Sequence, residues 1–407
     1  MLISPTCTGK RALIGMLLML NFMSNMSSQI PTHSFGKGIQ FLAKDSSFYL
    51  KMNFRIQNQM SHTWAIDNGS LKNHDYSMLI RRSRISFNGW AVSTKVKYKF
   101  EMGLSNSDVD EGDGIEFNKT ANLILDAWLS WNFYKNLSIQ FGQGKLPGNR
   151  ERVISSASMQ FVDRSILNSQ YNIDRDVGFQ ILHHHTIGKE FLIRTIAALS
   201  QGEGRNVTAG GFGGANYTLR MEILPFGKFR SKGDYIGSAI KKESKPKVSL
   251  GVSYDKNVNA VRERGQLGNF IRDDMGAYVG NNLNTLFIDL MFKYQNWSIL
   301  AEYADKKTGN GSPFVFSESD DLIGTFYTGT GLNVQTGYMF KKNWEVAGRF
   351  TAINPQAGVD SDEVQYTIGF SKFIAGHKLK AQTDFTLRDR VENTNEFFWR
   401  TQVEFQF

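Results

Sequence analysis

The chain has 407 residues, with 38 glycines, seven prolines, one cysteine and 13% aromatic residues. Its formal net charge is +9, but it has no lysine-rich tail, zinc-ligand spacing or aromatic RNA-binding motif, so no nucleic acid is expected as a partner. Outside the N-terminus, no apolar run reaches the ~20 residues that a membrane-spanning helix requires.

The N-terminus has the layout of a secretory signal peptide. Lys10 and Arg11 precede the apolar run 12–23, which is followed by small polar residues. We therefore predict a signal peptide over residues 1–28 and a short N-terminal periplasmic segment over 29–47. The single cysteine lies within this leader, so the exported chain is expected to form no disulfide.

Apolar and polar side chains alternate from residue 48 to the end of the sequence. In "TKVKYKFEMGL", Lys95, Lys97 and Lys99 share one parity, whereas Val96 and Phe100 share the other. Successive side chains of a strand point to opposite faces, so this strand has one charged and one apolar face. A soluble sheet would also produce this pattern, and one strand alone does not decide between the two.

Sixteen segments with this alternation are predicted as strands. They are 48–58, 77–88, 93–104, 121–133, 136–145, 174–185, 190–201, 215–225, 247–256, 284–294, 297–306, 329–340, 343–353, 363–372, 377–388 and 396–407. Most approach or exceed the ~9 to 11 residues with which a tilted strand crosses a bilayer. They are longer than the strands of ~5 to 6 residues that are usual in soluble sheets.

The connections alternate between short turns and long polar loops. The long ones are 59–76, 105–120, 146–173, 202–214, 257–283, 307–328, 354–362 and 389–395. Short turns on one rim and long loops on the other are typical of a transmembrane barrel. We therefore predict an all-β fold, a transmembrane antiparallel β-barrel of 16 strands over residues 48–407. One connection, 226–246, is long although it falls on the short-turn rim.

The cost of burying charge in lipid orients the strands. A lysine that faces lipid at mid-bilayer costs ~2 to 4 kcal/mol, so the charged parity is expected to face a water-filled lumen. The inward cations are then Lys51, Arg55, Arg82, Arg84, Lys95, Lys97, Lys99, Arg194, Arg220, Arg349, Lys380 and Arg400, and the inward acids are Glu101, Asp126, Glu222, Asp289, Glu302, Glu345, Asp384 and Glu404. The balance favours anions. For any single cation, the alternative is that it only solvates the lumen and pairs with an acid.

The last segment, "FFWRTQVEFQF", places aromatic residues on one face and ends on phenylalanine. It resembles the terminal recognition strand of bacterial outer-membrane barrels. This resemblance implies the outer membrane of a Gram-negative bacterium as the location, with its lipid and lipopolysaccharide as surroundings. It also implies that the barrel assembly machinery engages the C-terminal strand.

Four longer stretches resemble the phosphate-selective porins of the O and P type: "IRRSRISFNGW", "LILDAWLSW", "FGQGKLPGNRERVISSASMQFVDRSI" and "SKPKVSLGVSYD". The resemblance covers nearly all of the mature chain. It implies a homotrimeric porin in which the third loop folds inward and narrows the pore, while a ladder of arginines leads phosphate or other small anions to the constriction.

The resemblance also assigns roles to individual residues. Arg55 matches a ladder arginine of the first strand, and Arg81 and Arg82 match the paired arginines of the second. Asp126 matches the acid that faces the constriction cations, and Arg152 stands where the family carries a lysine. Strict alternation would turn Arg81 outward, so it requires a bulge or a rim position.

Four further residues complete the predicted pore lining. Lys145 and Arg150 lie in the third-loop motif, and Arg262 and Arg264 in the fifth loop resemble further members of the ladder. Two glycines of the third-loop motif replace aromatic residues that are usual in the family. This departure leaves the preferred anion open, and a general diffusion porin of the same fold is the alternative.

Two other groups of residues, the three consecutive histidines and an acidic stretch, do not predict a specific site. Within His183 to His185 only the first and third can share a face, and a rim cluster is favoured over a two-ligand metal site. The acidic stretch 108–116 departs from the spacing of a calcium loop and is interpreted as a solvated outer loop. We expect no metal and no cofactor. A barrel enzyme is the alternative from another class, but the sequence offers no persuasive arrangement of serine, histidine and acid.

Overall fold

A computed structural model of the chain describes residues 35–106, 108–109, 115–117, 122–207, 210–391 and 394–407. The predicted signal peptide, 1–28, lies outside the described residues, as do parts of the segment 29–47 and of the acidic stretch 108–116. No helix in the described ranges is long and apolar enough to span a membrane.

Sixteen antiparallel strands form the wall of a closed barrel. They are β1 Phe48–Asp67, β2 Ser70–Ala91, β3 Ser93–Gly103, β4 Ile124–Tyr134, β5 Leu137–Lys145, β6 Arg175–Ile187, β7 Phe191–Ser200, β8 Asn216–Leu224, β9 Glu243–Ala260, β10 Asn281–Gln295, β11 Trp297–Thr308, β12 Gly329–Met339, β13 Trp344–Pro355, β14 Glu363–Phe373, β15 Leu379–Arg390 and β16 Asn395–Gln406. Each strand pairs with the next, and β16 pairs with β1 from Asn395↔Ile66 to Gln406↔Arg55, which closes the barrel. The predicted fold class is confirmed, and all sixteen predicted segments are strands.

Shorter elements lie outside the wall. A strand at Ile39–Leu42 pairs with β1 opposite Tyr49 to Met52, at the end of β1 that β16 does not cover. A small hairpin, Phe314–Phe316 with Leu322–Thr325, lies in the loop between β11 and β12. The remaining short helices in the described ranges are 3-10 turns at Ile115–Phe117, Ser156–Ser158, Arg230–Tyr235 and Lys341–Asn343, and the α-helices α1 Arg150–Val153 and α2 Ile166–Tyr171.

The predicted first long loop, 59–76, is wrong. This stretch continues β1 and β2 into a hairpin of 20 and 22 residues that turns at Asn68 and Gly69. Both turn residues have positive φ, 49° and 75°, as a two-residue hairpin turn with the right-handed twist of the strands requires. The polar composition of the stretch suggested a loop, whereas the Asn-Gly pair was the signal for a hairpin.

The outward parity of the strands carries an apolar belt. Leu129, Trp131 and Phe141 point away from the lumen and are about half exposed on the isolated chain. At the rim of short turns the belt is aromatic, for example where the ring of Trp297 lies 4.9 Å from that of Tyr338. Such a belt with aromatic edges is what a lipid bilayer requires of a transmembrane barrel.

The third loop, residues 146–174, lies inside the barrel. Tyr171 of α2 is fully buried and packs in an apolar cluster with Phe287 and Ile353 of the wall. Glycines make room for the loop: a Cβ at Gly369 would lie 2.9 Å from the ring of Phe161. A large side chain at this wall position would therefore displace the loop.

The connection between β8 and β9, residues 225–242, also enters the barrel from the rim of short turns. We name it the in-turned segment. Its Gly237 N–H donates to Ser158 O of the third loop (2.8 Å). The buried ammonium of Lys293 on β10 donates to Ile236 O (2.7 Å) and Ser238 O (2.8 Å) of the segment. The long connection that interrupted the alternation of loop lengths is thus an internal element.

Together the third loop and the in-turned segment fill the lumen along β8 to β15, which we name the closed side. The third loop contacts this wall through Gln160, which donates to Ser298 (3.0 Å) and Glu345 (2.9 Å). Its Val162 N–H donates to Asp384 of β15 (3.1 Å). Open space remains along β2 to β6, the open side, where the cavities described below lie.

Candidate functional site

A cavity of about 410 Å³ lies between the third loop and the open side, and we name it the outer cavity. Eight arginines and three aspartates line it, together with polar residues of α2. The charged residues are Arg81, Arg82, Arg84, Asp108, Arg152, Asp163, Arg164, Asp174, Arg175, Arg205 and Arg400. Cations therefore outnumber acids in this cavity, as the inward parity predicted for the lumen.

A β-bulge brings the two adjacent arginines of β2 into the same cavity. Gln57 pairs with Arg82 and the next residue of β1 pairs with Ile80, so Arg81 is an extra residue in β2. The guanidinium of Arg81 donates to Asp163 Oδ1 (3.2 Å), and that of Arg82 lies 3.6 Å from the same oxygen. The bulge that the position of Arg81 required is present.

Asp163 of the third loop is the common partner of these arginines. Burial opposes its charge, but the guanidinium groups of Arg81 and Arg82 hold its pKa down at about 2. The carboxylate is therefore charged at neutral pH. It fixes two guanidinium groups and compensates only part of their charge.

The third loop contributes Arg152 and Arg164. Arg152 forms an ion pair with Asp174, and its buried Nε has no hydrogen-bond acceptor in the described part of the chain. Arg164 donates to the backbone oxygens of Glu151 (2.9 Å) and Ile154 (3.0 Å). No carboxylate among the described residues lies within 4 Å of the Arg164 guanidinium, so it forms no direct ion pair there.

A second cavity of about 290 Å³, the inner cavity, lies nearer the rim of short turns. It shares four lining arginines with the outer cavity: Arg84, Arg152, Arg164 and Arg175. Because they line both cavities, these four side chains lie where the two cavities meet, and we name them the arginine ring. Any solute that moves from one cavity to the other contacts guanidinium groups from two strands and the third loop.

Asp126 lies at the inner side of the ring. It accepts from Arg175 Nε (2.8 Å) and forms an ion pair with Lys99, whose ammonium also lies 2.7 Å from Glu101. The structure thus brings the acid expected at the constriction against two cations. Lys145 also lines the inner cavity, and its ammonium donates to the backbone oxygen of Arg152 (2.8 Å) at the start of the third loop.

Lys95 and Lys97 lie further toward the rim of short turns. Both side chains are exposed, and Lys97 lines a third cavity at that end of the barrel. Along β3 the inward cations therefore follow one another from the inner cavity to the rim.

Arg150 was predicted to line the pore, but the structure buries it completely. Its guanidinium lies between Asp289 Oδ1 (2.9 Å) and Glu222 Oε1 (3.0 Å) and donates to Ser249 (2.9 Å). This position anchors α1 to β8, β9 and β10, so Arg150 holds the loop to the wall and lines neither cavity. Sequence alternation does not apply within a loop, which is why this orientation was missed.

Besides Arg150 and the two lysines near the rim, three further predicted residues lie outside the two cavities. Arg55 is bound by both carboxylate oxygens of Glu404 (2.9 Å each) and donates to Ser156 of the third loop (2.7 Å). In the fifth loop, Arg262 donates to backbone oxygens that include Gly268 O (2.9 Å), and Arg264 donates to the backbone oxygen of Ser169 (2.8 Å). These contacts give all three a bracing position.

Sequence reasoning missed several arginines of the two cavities as site residues. Arg164 lies in the third-loop motif quoted for the family, and Arg175 lies at the start of a predicted strand, so both carried a usable signal. Arg400 was assigned to the lumen by parity but not to the site. Arg205 follows β7 in a loop, and the sequence around it shows no pattern that would have identified it.

The three consecutive histidines lie on β6. The rings of His183 and His185 stack with centroids 6.5 Å apart, and both His183 and His184 line the third cavity. Within the described ranges, no group of three or more His, Cys, Asp or Glu residues could hold a metal ion.

Comparison with known proteins agrees with this architecture. The family model of the phosphate-selective porins O and P matches residues 50–400. A curated relative, an uncharacterized protein from Aquifex aeolicus strain VF5, is 22% identical over 390 residues, which are 88% of this chain and 87% of the relative.

Three solved structures share the fold. Salmonella typhi OmpF in complex with daunomycin has a TM-score of 0.54 at 12% identity and covers 91% of this chain and 100% of its own. An anion-selective porin from Comamonas acidovorans has a TM-score of 0.51 at 11% identity over 88% and 99% of the two chains. The outer-membrane channel DcaP of Acinetobacter baumannii has 0.50 at 12% identity over 90% and 99%. With a family match over nearly its whole length and a closed sixteen-stranded barrel, this chain belongs to the phosphate-selective porin O and P family and is an outer-membrane porin.

Proposed function

We propose that this porin conducts small anions and prefers phosphate or related oxyanions. The observation that carries the proposal is the arginine ring, in which Arg164 has no carboxylate within 4 Å in the described ranges. Guanidinium groups donate paired hydrogen bonds that match the oxygens of phosphate. A ring of such donors can replace the water that an oxyanion leaves behind when it enters the passage.

The proposed path runs from the outer cavity through the ring to the inner cavity. Arg81 and Arg82 attract the anion, and Asp163 keeps them extended toward the cavity. Beyond the ring, Lys99 and then Lys97 offer ammonium groups as successive positions toward the periplasm. Conduction needs binding that is strong enough for entry and weak enough for exit, and the acids beside the cations supply this balance.

We also propose how the channel is delivered and assembled. Residues 1–28 direct export and are removed, and residues 29–47 remain in the periplasm. The barrel assembly machinery recognises β16, and three copies associate as a homotrimer in contact with lipid and lipopolysaccharide. Arg55, Arg262 and Arg264 act here as braces of the pore-forming loops.

A general diffusion porin of the same fold is the rival. Purified protein in planar bilayers under a KCl gradient should give a reversal potential of anion selectivity, and added phosphate should block the chloride current. Cation selectivity would overturn the whole proposal. Anion selectivity without block by phosphate would overturn the phosphate preference and favour the rival.

A further inference from the structure

A third cavity, of about 630 Å³, opens at the periplasmic end of the open side, and we name it the exit chamber. Strands β3, β5, β6 and β7 form its outer wall and the in-turned segment forms its inner wall. Its lining residues are Lys97, Asn136, Ser138, Leu182, His183, His184, Leu192, Arg194, Ile196, Lys228, Phe229, Lys232 and Tyr235.

The exit chamber continues the passage from the inner cavity. On β3, Lys99 lines the inner cavity and Lys97, the next residue of the same parity, lines the chamber. On β6, Gln180 lines the inner cavity and Leu182, the next residue of the same parity, lines the chamber. Residues two apart in a strand point to the same face about 7 Å apart. A solute that leaves the inner cavity therefore enters the chamber next.

The wall of the chamber is apolar on one side. Leu182 and Ile196 are directly paired between β6 and β7, share the lumen parity and are partly exposed. Phe229 of the in-turned segment belongs to a buried apolar cluster with Leu192. A water-filled pore for inorganic ions has no need of apolar side chains at lumen positions, where they remain in contact with water at a cost.

The chamber also carries cations. Lys97, Lys228 and Lys232 are exposed, and none of them has a carboxylate within 4 Å among the residues that the structure describes. Arg194 differs because it lies 3.1 Å from Glu222 and is paired with a buried aspartate as well. The three lysines are thus the uncompensated charges of the chamber.

We propose that the exit chamber binds organic anions that join an apolar or aromatic body to a sulfonate, carboxylate or phosphonate group. The apolar body packs on Leu182 and Ile196 while the anionic group contacts the lysines. The volume lies within the about 300 to 1,000 Å³ of usual ligand sites. The inference rests on the proposed function in one respect, because the ligand is an anion that the pore admits, and it adds a substrate class with a hydrophobic part.

The test compares two sulfonates of equal charge as blockers of the chloride current in planar bilayers. Benzenesulfonate should block the wild-type channel at about tenfold lower concentration than methanesulfonate, because its ring can be buried against the apolar wall. In Leu182→Asn this preference should fall to within about twofold, with methanesulfonate unchanged, and Leu182→Met should keep it. Lys232→Gln should weaken the block by both sulfonates.

Equal block of the wild-type channel by the two sulfonates would overturn the inference. A preference that survives in Leu182→Asn would also overturn it. If that variant yields no channels, Ile196→Thr replaces it with the same expectations. Block by inorganic phosphate, measured on the same membranes, separates the two proposals: its loss rejects the phosphate preference of the ring, whereas the ratio between the sulfonates reports only on the chamber.

Discussion

The closed side and the open side of the lumen are both rich in charge, but they use it differently. On the closed side, Arg220 lies between Glu222 (2.9 Å) and Asp289 (2.7 Å), and Arg150 shares the same two acids. In the outer cavity, between the third loop and the open side, eight arginines meet three aspartates. Matched charges can be buried and hold a loop in place, whereas a surplus must remain in contact with water or an ion. Charge balance therefore distinguishes scaffold from passage in one lumen.

The largest effect should come from removing one buried cation from the matched charges of the closed side. Arg150→Ala leaves two buried carboxylates short of a partner, and we expect a loss of about 3 to 5 kcal/mol in the free energy of unfolding. Where channels still form, the released third loop should raise their conductance. Urea titration and single-channel recording measure these effects. The control is Lys307→Ala, which removes an exposed ion pair and should leave both unchanged.

On the open side, Arg164→Gln should act on the ion and not on the fold. Charge-assisted hydrogen bonds contribute ~1.5 to 3 kcal/mol, so the phosphate concentration for half-block should rise about tenfold or more. Arg164→Lys keeps the charge but loses the paired donors, and it should recover only part of the block. Wild-type block in Arg164→Gln would show that the ring does not contact phosphate.

Arg152→Ala and Arg82→Ala sharpen the contrast within the open side. Both arginines already interact with an aspartate, so each loss removes a cation and leaves that acid with one partner fewer. We expect weaker phosphate block, by about two- to fivefold in each variant, with the folded yield of wild type. If both variants block like wild type, these guanidinium groups do not lie in the passage.

The smallest effect should come from the contact between the two inward elements. A Cβ at Gly237 would lie 2.8 Å from the backbone nitrogen of Gln160, so Gly237→Ala must displace the third loop by a few tenths of an ångström. We expect a modest change in conductance, measured in KCl. Gly348→Ala, where a Cβ meets nothing within 4 Å, is the matched control and should conduct like wild type.

Much of this architecture follows from side-chain parity. The sixteen strands and the lumen positions of residues such as Arg84 and Asp126 follow from the alternation of polar and apolar side chains, because a bilayer penalises outward charge. Parity also showed that Arg81 does not fit a regular strand, and the structure has the extra residue of a β-bulge there.

Side-chain parity does not predict contacts between segments that are distant in the chain. The inward course of residues 225–242 depends on Gly237 meeting Ser158 and on Lys293 capping backbone oxygens, and nothing local encodes those encounters. The buried position of Arg150 was not predicted for the same reason, because its partners lie on three different strands.

The glycines of the closed wall have a consequence for engineering. A Cβ at Gly337 would lie 1.9 Å from Gln160 Nε2, and one at Gly369 would lie 2.9 Å from the ring of Phe161. The glycines of the wall are therefore complementary in shape to the third loop, and the loop depends on them for its position. A graft of residues 146–174 into a foreign barrel should hold its shape only if the host offers the same vacancies.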